Sequence, residues 1–182
     1  GLDFLEQNHD KDNWFLQIET FDPHEPFFAQ PEYRSLFPDS YNGPFCDWPD
    51  YRPVNEEDSP ELIQHLRHQY AAVLKLCDEN LGKILDAMDS YDLWKDTMLI
   101  VNTDHGFLLS EHGQWAKCHC PFYGEVAHTP LFIWDPRSRR KNVRTSQLVQ
   151  TIDLPATLLE YFGQPLFSDM EGRSLRPVLE KD

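Results

Sequence analysis

The sequence is short of positive charge. Only 16 Lys and Arg residues stand against 31 Asp and Glu residues, which gives a formal net charge of -15 at pH 7. Nucleic acids and anionic membrane surfaces bind proteins through clustered Lys and Arg side chains. The composition therefore argues against both kinds of partner. An anionic substrate would need a metal ion or a local cationic pocket to bind here.

Cysteines and long apolar runs are also scarce. The 4 cysteines, among 182 residues, are too few for a disulfide scaffold. Cys118-His119-Cys120 lacks the second pair of ligands that a structural zinc site needs, so we predict mainly free thiols, with at most one incidental pair. No apolar run approaches the length of a membrane span. With 40% hydrophobic residues, the chain can still bury the core of one domain, or of one substantial piece of a larger domain.

The hydrophobic pattern predicts three strands, at residues 13–20, 97–103 and 129–135. The second run has little polar alternation, so we expect that strand to be buried on both faces. Strands alternate with helical patterns along the chain. This order favours a layered α/β fold, a sheet flanked by helices.

Two helices are predicted between and after these strands. The first begins with Ser59 as N-cap and Pro60 at the first helical position. Its apolar face repeats every three or four residues, through Leu62, Leu66, Tyr70, Val73, Cys77, Leu81, Ile84 and Met88. The second helix is predicted within residues 145–163, where Gly163 ends it.

A long segment without periodicity, residues 21–58, is rich in proline and aromatic residues. Loops of this length in a compact domain are usually functional or disordered, and the aromatic content favours a packed, functional loop. Its aromatic side chains could stack on a sugar or aryl group, or they could pack the loop itself. We favour packing, because aromatic side chains bury large areas. They are Phe27, Phe28, Tyr33, Phe37, Tyr41 and Trp48.

The stretch "NTDHGFLLSEHGQWAK", residues 102–117, directly follows the apolar run "TMLIV". Asp104 and His105 would lie just past the end of a strand, where open α/β sheets bind ligands. Gly106 lets the backbone turn sharply and lets a ligand approach closely. A carboxylate beside a neutral imidazole can ligate a divalent cation. For an isolated triplet we favour the other interpretation, in which Asp104 caps a turn and His105 is an ordinary hydrogen-bonded histidine.

Several motifs, taken in order, resemble the sulfatase family of the alkaline-phosphatase-like superfamily, including the phosphonate monoester hydrolases. "TDHGFLLSEHGQWAK" is similar to the family's S/T-D-H/N-G, E-H-G and W-x-K signature. "FYGEVAHTPLFIWDP" and "EGRSLRPVL" are similar to its later segments, and "ETFDPHEPFFAQPEY" resembles its P-H-x-P-F/Y segment. The resemblance covers nearly the whole chain and implies an alkaline-phosphatase- or sulfatase-like sheet flanked by helices.

The resemblance also implies roles for individual residues. Asp104 and His105 correspond to metal ligands, and Lys117 to the lysine that contacts the sulfate oxygens. The ammonium of that lysine would stabilise charge on the transferring group. His24 corresponds to a histidine beside the leaving-group oxygen, to which it can donate a proton. A histidine hydrogen-bonded to nearby backbone is the other interpretation of His24.

Other implied roles are less determined by the motifs. Glu111 and His112 could orient the metal ligands through contacts outside the metal's own coordination shell, or they could simply cap a helix. The implied metal is a divalent cation, with Ca²⁺ preferred and Mn²⁺, Mg²⁺ and Zn²⁺ as alternatives. Cys118 and His119 occupy positions that vary in the family, and we assign them no role.

The chain departs from the family in one important respect. Sulfatases carry C/S-x-P/A-x-R, whose first residue becomes formylglycine, and no cysteine here lies in that context. The N-terminal strand with its acidic metal ligands and the C-terminal subdomain are missing too. We therefore expect residues 1–182 to be one portion of a sulfatase-type catalytic domain, with formylglycine supplied from outside this chain. Two ligands from one corner are a poor cage for Ca²⁺, so we expect weak metal binding and no turnover from this portion alone.

The resemblance implies that the parent protein hydrolyses sulfate esters of small molecules, such as sulfated sugars or aryl sulfates. A phosphonate monoester or phosphodiester hydrolase is an alternative, because it shares the same framework. A degenerate, non-catalytic binding protein of this fold is the other alternative. An isolated portion of the domain would expose apolar surface where neighbouring strands belong, and we predict that the portion can self-associate through this surface.

Overall fold

Helices and short strands alternate along residues 1–180, the part of the chain that the computed structural model describes. The helices are α1 (Leu2–Asn8), α2 (Pro31–Arg34), α3 (Pro60–Ser90), α4 (Gly124–Ala127), α5 (Asp153–Tyr161) and α6 (Arg176–Glu180). The strands are β1 (Leu99–Asn102), β2 (Leu108–Leu109), β3 (Trp115–Ala116) and β4 (Leu131–Trp134), and 3₁₀ turns lie at Leu93–Lys95 and Glu111–Gly113. Among these helices, none has the length and apolar character that crossing a membrane requires.

The long helix α3 is the scaffold of the structure, and it confirms the predicted helix. Ser59 is its N-cap, and the Ser59 Oγ accepts a hydrogen bond of 3.2 Å from the backbone N–H of Leu62. Each of the eight predicted apolar positions is buried or partly buried. Leu66, Val73 and Met88 are the buried anchors of three separate apolar clusters along the helix. Packing of one apolar face, rather than intrinsic propensity, therefore stabilises this helix.

The predicted strands at 97–103 and 129–135 are confirmed, and they pair with each other. β1 and β4 run antiparallel, with Leu99 opposite Trp134 and Asn102 opposite Leu131. The expectation that the first of them is buried on both faces is wrong, because Leu99, Ile100 and Val101 are only partly buried. Within residues 1–180, β1 has a single neighbouring strand.

Two further predicted elements differ from the structure. Residues 13–20 form no strand, because no described segment pairs with them. Trp14 and Leu16 of this segment pack against the cluster around Leu5 and Met88 instead. The helix predicted within 145–163 begins only at Asp153. Leu148 is fully exposed, so no packing holds the preceding residues in a helix.

The motif "EGRSL" has a structural function against the start of α5. The backbone N–H of Arg173 donates to the Asp153 carboxylate at 3.0 Å, and that of Leu175 donates to the Thr157 hydroxyl at 2.9 Å. A Cβ on Gly172 would lie 1.9 Å from the carbonyl oxygen of Ile152, so only glycine fits this approach. These contacts fasten the turn to the helix.

The loop at residues 21–58 packs along α3, which agrees with the packing interpretation for four of its aromatic side chains. Phe27 is buried, and Tyr33 and Phe37 pack against the same cluster. The ring of Tyr41 stacks on His65 of α3. Phe28 and Trp48 are exposed, so these two remain available for other contacts. The four cysteines are all free thiols, as predicted.

Candidate active site

His24 lies in a bend whose two flanking X-Pro peptide bonds, Asp22–Pro23 and Glu25–Pro26, are both cis. Its Nδ1 is 2.7 Å from the backbone carbonyl oxygen of Glu25. A carbonyl oxygen can only accept a hydrogen bond, so Nδ1 carries the proton and donates it. The neutral ring therefore has its lone pair on Nε2. The backbone contact fixes the orientation of the ring and leaves Nε2 free for other chemistry.

Lys117 is buried and reaches that nitrogen. Its Nζ lies 3.0 Å from His24 Nε2 and 3.4 Å from an Oε2 carboxylate oxygen of Glu25. The same ammonium lies 5.8 Å from the centre of the Phe107 ring, within the range of a cation–π interaction. Positive φ angles of 66° at Ala116 and 77° at Cys118 bracket the lysine. Such angles are uncommon for residues with side chains, and the buried contacts of Lys117 hold the backbone there.

Glu25 completes this group, although the sequence interpretation assigned it no role. Its side chain is only 4% exposed, and Oε2 lies 3.4 Å from both Lys117 Nζ and His24 Nδ1. Its other oxygen, Oε1, accepts a hydrogen bond from the hydroxyl of Tyr51. A buried carboxylate is stable only when it is paired, and these contacts pair it. The site therefore contains a lysine, a histidine and a glutamate in direct contact.

Tyr51 reaches Glu25 because its segment pairs with the chain before Lys117. An isolated antiparallel bridge joins Pro53 and Gln114. The backbone N–H of Trp115 donates to the Arg52 carbonyl at 3.0 Å, and that of Val54 donates to the Gly113 carbonyl at 2.9 Å. This bridge holds the end of the 21–58 loop beside β3. It places the hydroxyl of Tyr51 and the ammonium of Lys117 around one carboxylate.

A bidentate ion pair fixes the conformation of the same segment. The guanidinium of Arg52 donates to both oxygens of Asp58, at 2.6 and 3.0 Å. The backbone N–H of Asn55 adds a third hydrogen bond to that carboxylate at 2.9 Å. The Arg52 hydrogen bonds lower the pKa of Asp58 and outweigh its burial, which acts in the opposite direction. Asp58 is therefore ionised at neutral pH and clamps the loop that carries Tyr51.

Asp104 and His105 lie directly after β1, as predicted. The Asp104 side chain is 81% exposed, and its Oδ2 lies 3.6 Å from His105 Nε2. Desolvation of the Asp104 carboxyl opposes ionisation, but the backbone N–H and the charge of His105, with the Thr103 hydroxyl, together hold its pKa below the usual value. The carboxylate is thus charged and open to solvent. An ionised oxygen donor beside an imidazole nitrogen is a suitable corner of a cation site.

Gly106 is required by a close backbone approach. Its N–H donates to the Val126 carbonyl at 2.9 Å, and a Cβ at this position would lie 1.8 Å from the carbonyl oxygen of Glu125. Its φ angle is not in the left-handed region. The glycine is therefore needed because α4 packs against the backbone after β1. The neighbour that approaches it closely is protein backbone, whereas the sequence interpretation expected a ligand.

His112 joins the second acid-histidine-glycine triplet to the start of α4. Its ring stacks on Tyr123 with a centroid separation of 3.9 Å, and its Nε2 lies 3.1 Å from a carboxylate oxygen of Glu125. Glu111 instead accepts from the backbone N–H of Leu109 at 2.5 Å and lies 3.5 Å from Arg67. These contacts suit a supporting role for both residues, because they hold the chain that follows Asp104 and His105.

The structure thus forms two pairs from the four principal predicted residues. His24 contacts Lys117, and Asp104 contacts His105. Between residues 1 and 180, no hydrogen bond or ion pair links one pair to the other. No group of three or more His, Cys, Asp or Glu side chains in this range could hold a metal ion. Asp104 and His105 fit two ligand positions of a divalent cation, and further ligands would have to complete its shell.

The structure combines helices with short two-stranded sheets, and the contact between Lys117 and His24 lies beside β3. Its fold is similar to the phosphonate monoester hydrolase of Agrobacterium radiobacter, with a TM-score of 0.77 and 23% identity. That similarity covers 97% of this chain and 40% of the other. The predicted α/β fold, that of an incomplete alkaline-phosphatase- or sulfatase-like domain, is confirmed.

The chain belongs to the sulfatase family, whose sequence model matches residues 1–164. It is 33% identical over 119 residues to an N-acetylglucosamine-6-O-sulfatase of Bacteroides thetaiotaomicron, and 34% identical over 116 residues to human arylsulfatase K. These matches cover 65% and 64% of this chain, and 21% of either relative. The chain therefore spans about one fifth of the length of the curated relatives it matches.

A second solved structure, more similar in sequence to this chain, contains a bound ligand. It is described as a complex with its substrate D-glucosamine-2-N,6-O-disulfate, and it shares a TM-score of 0.61 and 31% identity with this chain. The similarity covers 66% of this chain and 24% of that one. Membership of the sulfatase family, expected from the motifs, is thus confirmed by sequence and by structure.

Proposed function

We propose that this chain forms part of a metal-dependent sulfate-ester hydrolase. The observation that carries the proposal is the contact of 3.0 Å between Lys117 Nζ and His24 Nε2. In a chain with a net charge of -15, this contact supplies a local cationic group for an anionic ester. The fold and family support the same assignment, because relatives that share 31–34% identity are named as sulfatases or bind a sulfated sugar.

Lys117 would bind the transferring sulfuryl group. Its ammonium has three N–H donors, of which the contacts with His24 and Glu25 use two. The third donor can reach a sulfate oxygen. Because the lysine is buried, its charge is less screened than a surface charge and stabilises negative charge effectively as the ester bond breaks.

His24 would protonate the leaving alkoxide. Its Nδ1 is committed to the Glu25 carbonyl, so Nε2 is the nitrogen that can accept a proton and give it to the leaving oxygen. In the neutral ring the Nε2 lone pair accepts an N–H from Lys117, so His24 acts as the acid only after Nε2 has taken up a proton, which it then gives to the leaving oxygen. The histidine and the lysine thus act at neighbouring atoms of the same ester group.

Asp104 and His105 would hold one side of a divalent cation, with Ca²⁺ as the preferred ion. When bound, the cation and a formylglycine from outside this chain would supply charge neutralisation of the sulfate and the attacking oxygen. The support from residues 1–180 is the exposed, ionised carboxylate of Asp104 next to the His105 ring. Mn²⁺, Mg²⁺ and Zn²⁺ are the alternatives that a titration would separate.

We infer a sulfated sugar as the substrate class. Two relatives support this inference, one named an N-acetylglucosamine-6-O-sulfatase and one solved with D-glucosamine-2-N,6-O-disulfate. The exposed rings of Phe28 and Trp48, in the loop that carries His24, offer faces on which a sugar could stack.

The test is steady-state kinetics of the full-length protein that contains these residues, supplied with Ca²⁺. N-acetylglucosamine-6-sulfate, an aryl sulfate and a matched phosphonate monoester are compared by kcat/KM, because discrimination lies in the transition state. We expect the sulfates to be preferred, and Lys117→Ala to lower kcat/KM by about 10²–10³-fold. Lys83→Ala, at an exposed lysine of α3, is the control and should have no effect.

The other outcomes are equally informative. Preference for the phosphonate ester would replace the proposal with the phosphonate monoester hydrolase alternative. If the folded, metal-loaded wild-type protein hydrolyses none of the three esters, a non-catalytic binding protein of the sulfatase fold is favoured.

A further inference from the structure

Glu25 is a buried charged residue that the mechanism proposed above does not use. Its side chain is 4% exposed, and it lies between Lys117, His24 and Tyr51. Lys117 is 92 positions away in the sequence, and Tyr51 is 26 positions away. A buried carboxylate is costly unless it is paired and hydrogen-bonded, and here two segments that are distant in the sequence supply partners. The two oxygens also have separate partners, which restricts the side chain to one orientation.

We propose that Glu25 is a positioning residue that aims the ammonium of Lys117 at the substrate, and that Tyr51 in turn holds Glu25. This inference rests on the proposed sulfate-ester hydrolysis. Oε1 is occupied by the Tyr51 hydroxyl, so Oε2 is the oxygen that faces Lys117 and His24. Rotation of the carboxylate away from the lysine would require the Tyr51 hydrogen bond to break.

The geometry explains how positioning works. An ammonium has three N–H donors in a tetrahedral arrangement, so fixing two of them also fixes the third. His24 Nε2 takes one and Glu25 Oε2 takes another, at 3.0 and 3.4 Å from Nζ. The remaining donor then has one direction in space. Without Glu25, the ammonium could rotate about its contact with His24 and would lose that direction.

Glu25 also offsets charge during the reaction. When Nε2 carries the proton for the leaving oxygen, it no longer accepts from Lys117, and two cationic groups lie side by side. The Glu25 carboxylate lies 3.4 Å from Lys117 Nζ and 3.4 Å from His24 Nδ1, so it attracts both. The negative charge of Glu25 thus offsets the repulsion between Lys117 and protonated His24 until the proton passes to the leaving oxygen.

A double-mutant cycle in the full-length protein tests the proposal. Glu25→Gln keeps the shape of the side chain and removes its charge. We expect it to lower kcat by about 10–100-fold with a change in KM of less than about 3-fold, because misaimed groups lose transition-state stabilisation. In a Lys117→Met background the same change should lower kcat by less than about 2-fold, because Glu25 then has no lysine to position.

Tyr51→Phe removes one hydroxyl group and leaves the loop packing intact, so it covers the case in which Glu25→Gln does not fold. It should lower kcat by about 3–10-fold with KM little changed, since Glu25 loses one of its holding contacts. Glu25→Asp, which keeps the charge, should recover part of the kcat lost in Glu25→Gln. Additive effects of Glu25→Gln and Lys117→Met, or no effect of Tyr51→Phe on kcat, would overturn the proposal.

Chemical labelling separates this proposal from the proposed function. Reductive methylation of the folded protein, followed by mass spectrometry, measures how fast each lysine reacts. We expect Lys117 to react slowly beside the exposed Lys83, and Glu25→Gln and Tyr51→Phe to accelerate it by about 10-fold or more. If the protein hydrolyses no sulfate ester but this acceleration is seen, the function is wrong and the positioning of Lys117 stands. If the rate for Lys117 is unchanged, the positioning role is wrong whatever the activity.

Discussion

Lys117 Nζ lies 3.0 Å from His24 Nε2, although 93 positions separate the two residues in the sequence. The contact forms because the loop at residues 21–58 returns along α3 and then pairs with the chain just before Lys117. A buried ammonium directed at an imidazole nitrogen is an unusual use of a lysine in a structural core. In the proposed ester hydrolysis, Lys117 would act on the sulfuryl group and His24 on the leaving oxygen, so esters with different leaving groups can separate the two roles.

Replacement of His24 by Gln should affect esters according to their leaving groups. A sugar alkoxide is a poor leaving group and needs a proton as the bond breaks, whereas an acidic phenol does not. We expect His24→Gln to lower kcat by about 10²–10⁴-fold on N-acetylglucosamine-6-sulfate, and far less on 4-nitrophenyl sulfate. The measurement is kcat for both esters with the full-length protein.

Lys117→Ala provides the comparison, since it removes charge stabilisation from the sulfuryl group common to both esters. It should lower kcat on both by similar factors. Equal losses on both esters in His24→Gln would show that the histidine does not act as the general acid.

The sequence predicted those parts of the structure that depend on local pattern. Helix α3 followed from an apolar residue every three or four positions and from the cap at Ser59. The residues of the two site pairs followed from motifs whose members lie within a few positions of each other. The prediction of a strand at 13–20 was wrong, because a strand also needs a pairing partner, and the local hydrophobic pattern does not identify that partner.

Glu25 and Tyr51 were missed for a related reason. Glu25 is adjacent to His24 in the motif "DPHEPF", and an acid beside a candidate proton donor was a signal that could have been used. Tyr51 offered no such signal, because its place depends on the bridge between Pro53 and Gln114. Contacts across 26 to 93 positions arise from how the loop folds back.

Metal binding should depend on Asp104 and on residues outside this chain. Calorimetric titration with Ca²⁺ should show tight binding by the full-length protein and weak binding by residues 1–182 alone, because Asp104 and His105 supply only two ligands. Asp104→Ala should abolish the tight binding. Asp92→Ala, at an exposed aspartate before the 3₁₀ turn at Leu93–Lys95, is the control and should leave it unchanged. Tight binding by this chain alone would contradict the two-ligand interpretation.

Gly106→Ala should destabilise the protein. The added Cβ would lie 1.8 Å from the backbone carbonyl oxygen of Glu125, so either α4 or the chain after β1 must shift. Overpacking of this kind costs about 2–3 kcal/mol in the free energy of unfolding. Urea denaturation of the wild type and the variant measures this difference.

Gly82→Ala is the matched control for that substitution. Gly82 lies in the interior of α3, and no atom beyond its chain neighbours and the adjacent backbone of that helix lies within 4 Å of the position of an added Cβ. Alanine is the better helix former, so this variant should be about 0.5–1 kcal/mol more stable than the wild type. If both glycine variants were equally tolerated, the close approach at Gly106 would not constrain the fold.

The clamp between Arg52 and Asp58 should make stability depend on acid pH. The hydrogen bonds from Arg52 lower the pKa of Asp58 in the folded protein below its value in the unfolded chain, which is about 3.9. The carboxylate therefore contributes its full stability above about pH 4, and the contribution falls as the pH drops through the folded pKa. Asp58→Asn should lower the free energy of unfolding at pH 7 by about 2 kcal/mol, since charge-assisted hydrogen bonds are lost.

The difference in free energy of unfolding between the wild type and Asp58→Asn should then shrink as the pH falls from 5 to 2, because the wild-type carboxylate becomes protonated and loses the same interaction. Urea denaturation at several pH values in this range measures the difference. Asp50→Asn is the control: Asp50 lies 3.8 Å from the same guanidinium, but its side chain is 83% exposed. An exposed ion pair contributes little, so this variant should match the wild type at every pH. A difference for Asp58→Asn that stays constant with pH would mean that shape, rather than the charge of Asp58, holds the loop carrying Tyr51 in place.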